Sequence, residues 1–538
     1  MEMKDSRLGR RNFIFGASAA VGTIALASTL AACSSDGGGS GSPKTLLASA
    51  AGRGTKLGNP KRGGHLRVAM IGNGTSETLN TAHLGSPIDA MRAFAVYDPL
   101  VRSAPGFKTE PGLAINWEHN DDGTEWRVGL RKDVTWHDGK PFTADDVIYT
   151  WRQMGNPDHV GHSQVADIDL DRLSKDGDHS VIVPLKKPIG RLYDFFVNFT
   201  TAFVIQNGTK DFSNPIGTGP FKVDRFIPGE RTVLSAHRDY WDPGRPYLDQ
   251  MTLLSFTDQS ALENALLSKE ADVISPLSYP TARANLNTNN YQVIVSEGGP
   301  NYVFYMRMDR EPFDDVRVRQ AMRLIADRQA LINASLSGFG EVMNDLPGKG
   351  LPFYNGSIEQ RKQDIAKAKS LLKAAGKSDL QVILQTAPSL PGFEEAALVF
   401  AEQAKKAGVT VTVKKETTAS YFNHDLLFMK MDFAQDALPT PALAPRYKSS
   451  LSSEASLNEV HRKDPSFDAL LAKAIAEPDL AKAAEYWNQL QQREFDEGGY
   501  IVWAGALQVN AAANNVRGIS GGWWLGLDDF RSFEWWLA

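Results

Sequence analysis

The sequence has almost no cysteine: Cys33 is the one thiol among 538 residues. A single thiol excludes an internal disulfide and any zinc site built from several cysteines. Basic residues are not in excess either, since 58 Lys and Arg stand against 63 Asp and Glu. The formal net charge of −5 therefore gives no electrostatic reason to expect a nucleic-acid partner.

Familiar catalytic signatures are also missing. Neither H-E-x-x-H nor a phosphate-binding P-loop occurs. Ser520 stands in a G-x-S-x-G pattern, but an α/β-hydrolase needs an acid and a histidine after its serine, and the last histidine is His461. His159 and His162 form a short H-x-x-H in a loop-like stretch with no evident third ligand. We therefore expect no enzyme, no cofactor and no metal site, and a serine hydrolase using Ser520 is the alternative.

What is present is typical of a globular protein of two or three domains. Hydrophobic residues make up 42% and charged residues 22% of a chain far too long for one ordinary core. Ordered structure should begin near His65, where "HLRVAM" alternates like a strand. Strand-like and helix-like stretches are then mixed along the chain, which predicts an α/β fold.

Several elements can be placed from local signals. Thr143 with Asp146 three residues later indicates a helix N-terminus. Residues 314–335 have apolar residues at helical spacing and predict one long helix. Asp364 and Gly376 are typical of a cap and a stop at the two ends of a further helix. Residues 380–413 alternate strand, helix and strand with short loops, which is a βαβ pattern.

The N-terminus has the pattern of an export signal. A positively charged start, through Arg11, precedes an uncharged stretch from Asn12 to Ala32. Leu30-Ala31-Ala32-Cys33 resembles the bacterial lipobox, in which the cysteine is acylated and becomes the first residue. Arg10 and Arg11 resemble the pair of the twin-arginine export motif. We expect a signal peptide over residues 1–32, a lipid on Cys33 and a flexible Ser/Gly-rich linker over 33–60; a transmembrane anchor is the alternative.

Three long stretches in order resemble the family 5 extracellular solute-binding proteins of ABC importers, which include oligopeptide-, dipeptide- and nickel-binding types. They are Pro111–Trp151, Asn214–Met251 and Glu311–Ile332. The first contains Trp117, Asp122-Gly123, His137-Asp138-Gly139 and Ala144-x-Asp146-Val147; the second contains Gly217-Thr218-Gly219-Pro220-Phe221 and Tyr240-Trp241. The resemblance extends over roughly residues 61–538.

The resemblance implies an α/β fold of the type II periplasmic-binding-protein class, with two lobes joined by a hinge. Residues 61–300 would form lobe I with an extra subdomain, 301–510 lobe II, and 511–538 the return to lobe I. Solute would bind in the cleft, and the lobes would close around it by hinge motion.

The resemblance also indicates candidate ligand contacts. Phe433 would take the place of a family aromatic, and Asp436 the place of an acid that receives the α-ammonium of a peptide. Pro439-Thr440-Pro441 replaces the family's Asp-Pro-Asp, so the site departs from the dipeptide pattern. The remaining candidates are drawn from the hinge strand, from tryptophans able to stack on a solute and from the loop after the first strand: Tyr302, Tyr305, Trp503, Trp523, Asn73 and Ser76.

These features together predict a lipid-anchored, extracytoplasmic, monomeric solute-binding protein that delivers a small solute to a membrane permease and its ATPase. Peptides are the leading solute class, with nickel chelates, sugars and other small molecules as alternatives. A sensor lipoprotein that has kept the fold without transport is a further alternative.

Overall fold

The computed structural model describes residues 58–104, 107–197, 203–423, 427–520 and 526–538. The predicted export signal with Arg10 and Arg11, the predicted lipidation site Cys33, and Trp523 lie outside these residues.

Strands and helices alternate along most of the described chain. In chain order the strands are β1 His65–Ile71, β2 Val101–Ala104, β3 Lys108–Pro111, β4 Ala114–His119, β5 Glu125–Leu130, β6 Ser174–Lys175, β7 Ser180–Pro184, β8 Phe221–Ile227, β9 Arg231–Ala236, β10 Gln250–Phe256, β11 Val273–Ser275, β12 Gln292–Ser296, β13 Asn301–Met306, β14 Gly340–Val342, β15 Gln381–Thr386, β16 Thr410–Lys415, β17 Phe433–Leu438, β18 Tyr500–Ala506, β19 Gln508–Ala512, β20 Val516–Arg517 and β21 Trp536–Leu537. The helices are α1 Pro87–Val96, α2 Ala144–Met154, α3 Gln259–Leu267, α4 Tyr279–Asn285, α5 Val316–Ile325, α6 Arg328–Ser335, α7 Ile365–Ala374, α8 Phe393–Lys405, α9 Thr418–Tyr421, α10 Leu443–Ser450, α11 Pro465–Ala476 and α12 Leu480–Glu497.

Two large mixed sheets organise the molecule. Within the described residues, sheet I has seven strands in the order β12-β19-β11-β1-β10-β9-β8, and sheet II has six in the order β14-β18-β13-β17-β15-β16. A smaller sheet, β4-β5-β7-β6, packs with α2 and forms the small domain. The chain crosses from sheet I to sheet II through residues 297–300 and returns at Leu507.

The burial of both faces of sheet I explains the apolar sequence of its central strand β1. In β1, Leu66, Val68 and Met70 enter one apolar cluster, while Ala69 enters another on the opposite face of sheet I. Because both faces are covered, β1 is apolar rather than strictly alternating. A further cluster is continuous from the small domain into sheet II and contains both Trp117 and Trp503. The small domain therefore shares its core with sheet II, although its sequence interrupts that of sheet I.

The predicted local signals are mostly confirmed. Thr143 and Asp146 form a reciprocal capping box at the start of α2. Asp364 accepts from the backbone N–H of Lys367 at the start of α7, and Gly376 follows that helix with φ +71°. The predicted βαβ unit is β15, α8 and β16, and its two strands are parallel.

The single long helix predicted over 314–335 is wrong, because α5 ends at Ile325 and α6 begins at Arg328. Ala326 is extended, and the carboxylate of Asp327 accepts from the backbone N–H of Ala330. An N-terminal cap by Asp is about as favourable as continuing the helix through it, so the chain turns here. The apolar spacing on either side of the break concealed it.

Candidate functional site

A cavity of about 270 Å³ lies between the small domain and the helices that cover sheet II. It is lined by Phe107 and the start of β3 and, from the small domain, by the segment that includes the 3₁₀ helix Leu192–Phe195. From the other side it is lined by Phe353, by the start of α10 and by the end of α11. We call this space the interlobe cavity.

Backbone contacts position the two walls. The N–H of Gly190 donates to the carbonyl of Ile475 over 2.8 Å. A Cβ on Gly190 would overlap the carbonyl of Glu477 and lie 2.8 Å from the nitrogen of Pro478, so only glycine permits this approach. Lys448 and Asp167 form an ion pair across the same interface.

The walls of the interlobe cavity are mainly apolar, and two of its charged lining residues, Arg191 and Asp194, are paired with each other. Arg191 donates to both carboxylate oxygens of Asp194, over 2.8 and 3.0 Å. Its guanidinium lies 4.7 Å from the ring centre of Tyr193 and 5.2 Å from that of Phe353. Burial lowers the pKa of Arg191, but Asp194 raises it by more, so the net shift is upward and the pair stays ionised.

A smaller pocket of about 50 Å³ lies where the chain crosses between the sheets. We call it the hinge pocket. Its walls include Glu297, Asn301, Glu341 and Thr440. Asn301 donates to the carbonyl of Leu438 over 3.2 Å and to the hydroxyl of Thr440 over 3.3 Å, which joins β13 to the chain just after β17.

Asp436 lies on β17 opposite Val303, on the face of sheet II that also carries Tyr305 and Tyr500. Its carboxylate accepts from the N–H of Ala437 over 2.7 Å. Burial raises the pKa of Asp436 to about 6, against the opposing effects of that hydrogen bond and of the charge on Arg446.

Of the charged neighbours of Asp436, Glu459 is buried and Arg446 is half-buried. Burial and the charge of Asp436 raise the pKa of Glu459 well above its usual value. Arg446 donates to the carbonyl of Pro439 over 3.0 Å and to the hydroxyl of Ser450 over 2.7 Å. Asp436 thus faces one cation and a second carboxyl group.

The predicted aromatic contacts are divided between the two faces of sheet II. Tyr302, Phe433 and Trp503 lie on the face covered by α8, and the ring centres of Tyr302 and Trp503 are 5.7 Å apart. Tyr305 lies on the face of Asp436 and donates to the carbonyl of Phe428 over 3.1 Å. All four are at most 3% exposed. In this conformation they are packed as core residues.

Asn73 and Ser76 lie in the exposed turn that follows β1, where the N–H of Ser76 donates to the carbonyl of Asn73 over 3.2 Å. Neither residue lines the interlobe cavity or the hinge pocket, and the same holds for Asp436, Tyr302, Tyr305, Phe433 and Trp503. Their role as ligand contacts stays a prediction.

Ser520 of the G-x-S-x-G pattern and His159 of the H-x-x-H pattern both have hydrogen-bond partners close in the chain. The hydroxyl of Ser520 donates to Asp528, and no histidine follows it in the sequence. The N–H of Gly161 donates to His159 over 2.9 Å. Across the part of the chain that the structure describes, no group of three His, Cys, Asp or Glu side chains is placed to hold a metal. Those same residues include no helix long and apolar enough to cross a membrane.

Sequence reasoning missed most of the residues that line these cavities. Phe107, which lines both, and the pair Arg191 and Asp194 lie in stretches with no recognised motif. The useful signal was the departure at Pro439-Thr440-Pro441, because Thr440 lines the hinge pocket and Pro441 the interlobe cavity.

Comparison with known proteins agrees with this architecture. Residues 108–453 match the family model described as bacterial extracellular solute-binding proteins, family 5. The chain is 26% identical over 521 residues to an oligopeptide-binding protein, AppA, of Bacillus subtilis, which covers 89% of this chain and 93% of that one. It is 25% identical over 449 residues to the dipeptide-binding protein of Escherichia coli. That match covers 76% of this chain and 83% of the other protein.

Solved structures show the same fold. The substrate-binding protein CtaP of Listeria monocytogenes superposes with a TM-score of 0.77 at 22% identity, over 89% of this chain and all of that chain. AppA of Bacillus subtilis, solved with a nonapeptide, superposes with a TM-score of 0.70 at 24% identity. The match covers 89% of this chain and all of that chain. The fold is thus the two-lobed type II periplasmic-binding-protein fold, and with a family model matching more than half of its length, the chain belongs to the family 5 bacterial extracellular solute-binding proteins.

Proposed function

We propose that this protein is the solute-binding component of an ABC importer. It captures a small solute between its lobes and delivers it to a membrane permease and ATPase. The observation that carries the proposal is the interlobe cavity, which is lined from both sides by segments far apart in sequence, in a chain of a solute-binding family. Hinge motion through residues 297–300 and Leu507 would open and close the cleft, with no covalent step.

Peptides are the solute class that we propose, because the relatives named above are oligopeptide- and dipeptide-binding proteins. Asp436 is the partner of a peptide ammonium group that the family resemblance predicts. The family is not confined to peptides: another relative is the heme-binding protein A of Haemophilus influenzae, at 26% identity. The replaced Asp-Pro-Asp segment favours a solute other than a standard dipeptide.

The proposal also includes the predicted export route and the predicted lipid anchor. Arg10 and Arg11 would direct the folded protein to the twin-arginine pathway, and cleavage before Cys33 would leave a lipidated, extracytoplasmic monomer. Residues 33–60 would tether the lipid to lobe I, residues 61–300 and 511–538, with residues 301–510 as lobe II. Proximity to the membrane would raise the local concentration at the permease.

The first test is native mass spectrometry of the purified protein. A co-purified mass that is released on denaturation would support solute binding and identify the solute class. A protein that is empty and shows no thermal shift with peptides, sugars or nickel chelates would contradict the proposal.

The anchor is tested separately. Cys33→Ser should move the protein from the membrane fraction to the soluble extracytoplasmic fraction, and Arg10→Lys with Arg11→Lys should retain it in the cytoplasm. Membrane association of Cys33→Ser equal to that of the wild type would contradict the lipid anchor and leave the binding proposal intact.

A further inference from the structure

The interlobe cavity is mainly apolar, and among the described residues its one lining cation besides Arg191 is the exposed Lys108 at the start of β3. Arg191 and Asp194 neutralise each other, and Glu477 accepts from the N–H of Asp479 over 3.0 Å. The remaining wall includes the rings of Phe195, Phe353 and Trp487. An engineered apolar cavity of about 150 Å³ already holds a benzene molecule, so this space has room for an apolar group larger than one ring.

The hinge pocket differs, because it contains a carboxylate without a partner. Glu341 is paired with Lys349 over 2.6 Å. Among the described residues, Glu297 has neither a hydrogen bond nor an ion pair through its carboxylate. Burial and the nearby charge of Glu341 both raise its pKa. A partly desolvated carboxylate is stabilised when a cation binds against it.

Phe107 connects the two spaces. It belongs to the turn between β2 and β3, has φ +57° and lines both the interlobe cavity and the hinge pocket. Its ring lies against Gly350, where an added Cβ would be 2.9 Å from the ring. Phe107 therefore belongs to the wall of both spaces, so the two spaces adjoin at this residue.

We propose that the solute carries a cationic group that binds Glu297 in the hinge pocket and a neutral apolar group that fills the interlobe cavity. This deepens the proposed function and rests on it. Asp436 is already close to Arg446 and hydrogen-bonded to Ala437, so its charge is partly offset within the protein. Glu297 has no such compensation, and it is the cleft carboxylate that gains most from a cationic partner.

Calorimetric titration of the protein, expressed as its full chain, with four tetrapeptides tests this. The probes are Ala-Phe-Phe-Ala and Ala-Ser-Ser-Ala, each with a free and with an acetylated amino terminus. The free Phe peptide should bind most tightly, and either acetylation or replacement of Phe by Ser should weaken binding about tenfold or more. Equal affinities for the four peptides, or no binding by any of them, would overturn the inference. The proposed function would be overturned only by the empty protein and the negative thermal-shift screen described above.

Matched variants assign the two contacts. In Glu297→Gln the penalty for acetylation should fall to about threefold or less, while the exposed control Glu402→Gln should keep the wild-type penalty. In Ala474→Leu, which fills the interlobe cavity from α11, the preference for Phe over Ser should be lost, and Ala472→Leu on the exposed side of the same helix should retain it. Ala444→Met is a second filling variant in case Ala474→Leu does not fold. An unchanged acetylation penalty in Glu297→Gln, or an unchanged Phe preference in a folded filling variant, contradicts the assignment.

Discussion

At the scale of single residues, burial decides what each ionisable group can do. His137 and His237 lie in an edge-to-face contact with ring centres 4.8 Å apart. The ring of His137 accepts from the N–H of Gly217 over 3.2 Å and donates to the carbonyl of Gly219 over 3.0 Å. A neutral ring satisfies both partners, whereas a protonated ring would direct a second N–H against that of Gly217.

The protein should therefore lose stability on acidification through His137. Burial lowers the pKa of His137 to about 3, so the unfolded chain binds a proton below its usual pKa of 6.5 while the folded chain does not. This contribution is complete above pH 6.5 and is lost as the pH falls toward 3. Between pH 7 and pH 4.5 the wild type should lose about 2 kcal/mol more than His137→Gln in urea denaturation. Equal losses in the two proteins would contradict this.

Asp436 should change the stability of the fold with pH in the opposite direction to His137. Its folded pKa, raised to about 6 from 3.8, means that its carboxylate destabilises the fold progressively as the pH rises from 3.8 to 6. Asp436→Asn should be more stable than the wild type by on the order of 1–2 kcal/mol at pH 7.5 and equal to it near pH 3.5, measured by urea denaturation without solute. Asp432→Asn, a half-exposed acid paired with Arg310, should change stability by less than about 0.5 kcal/mol. A destabilised Asp436→Asn at pH 7.5 would show that the carboxylate is needed by the fold.

At the scale of elements, buried arginines join helices to strands. Arg323 on α5 is fully buried and donates to the carbonyls of Tyr500, Phe495 and Glu494 over 2.8, 2.9 and 3.1 Å. These carbonyls belong to the end of α12 and the start of β18, so one guanidinium satisfies the backbone where a helix ends inside the protein. Burial lowers the pKa of Arg323 to about 10, which still leaves it charged at neutral pH.

Arg323→Leu should destabilise the protein by about 3–5 kcal/mol, because three buried carbonyls lose their donor and Glu494 loses a compensating charge. Arg317→Leu, six residues earlier on α5, removes an exposed side chain paired with Asp315 and should reduce stability by less than about 1 kcal/mol. Chemical denaturation of both variants at pH 7 measures the difference. Similar losses would show that burial of Arg323 does not govern its contribution.

At the scale of the whole molecule, the small domain touches the end of α11 through close backbone contacts. Gly190 has no room for a side chain against the end of α11, and the neighbouring segment 191–195 forms a wall of the interlobe cavity. Displacing this segment would open the cavity. The geometry of the site thus depends on a contact between parts of the chain that are about 285 residues apart.

Gly190→Ala should reduce solute affinity and loosen this contact. The added methyl overlaps the carbonyl of Glu477, so the backbone must shift at a cost of about 1–3 kcal/mol. Hydrogen exchange should accelerate in residues 189–195 and 474–478, and Gly356→Ala, where an added Cβ meets nothing within 4 Å, should leave exchange there unchanged. Unaltered exchange at both segments in Gly190→Ala would contradict the contact in solution.

The sequence by itself determined the local elements and the family. Caps such as Thr143 and Asp364, the βαβ pattern over 380–413 and three ordered motifs depend on neighbours close in the chain, which is why they could be predicted. The break at Ala326 was missed because a capping Asp competes with a helical pattern that continues on both sides.

The tertiary structure alone decided which residues meet at the cleft. Phe107, Arg191, Glu297 and Pro441 come together from four distant segments, and nothing local distinguishes them from other surface residues. The pleat of sheet II then placed Phe433 and Asp436 on opposite faces, since they are three residues apart on one strand. Alternation along a strand is visible in a sequence, but which face is covered by a helix depends on packing between elements.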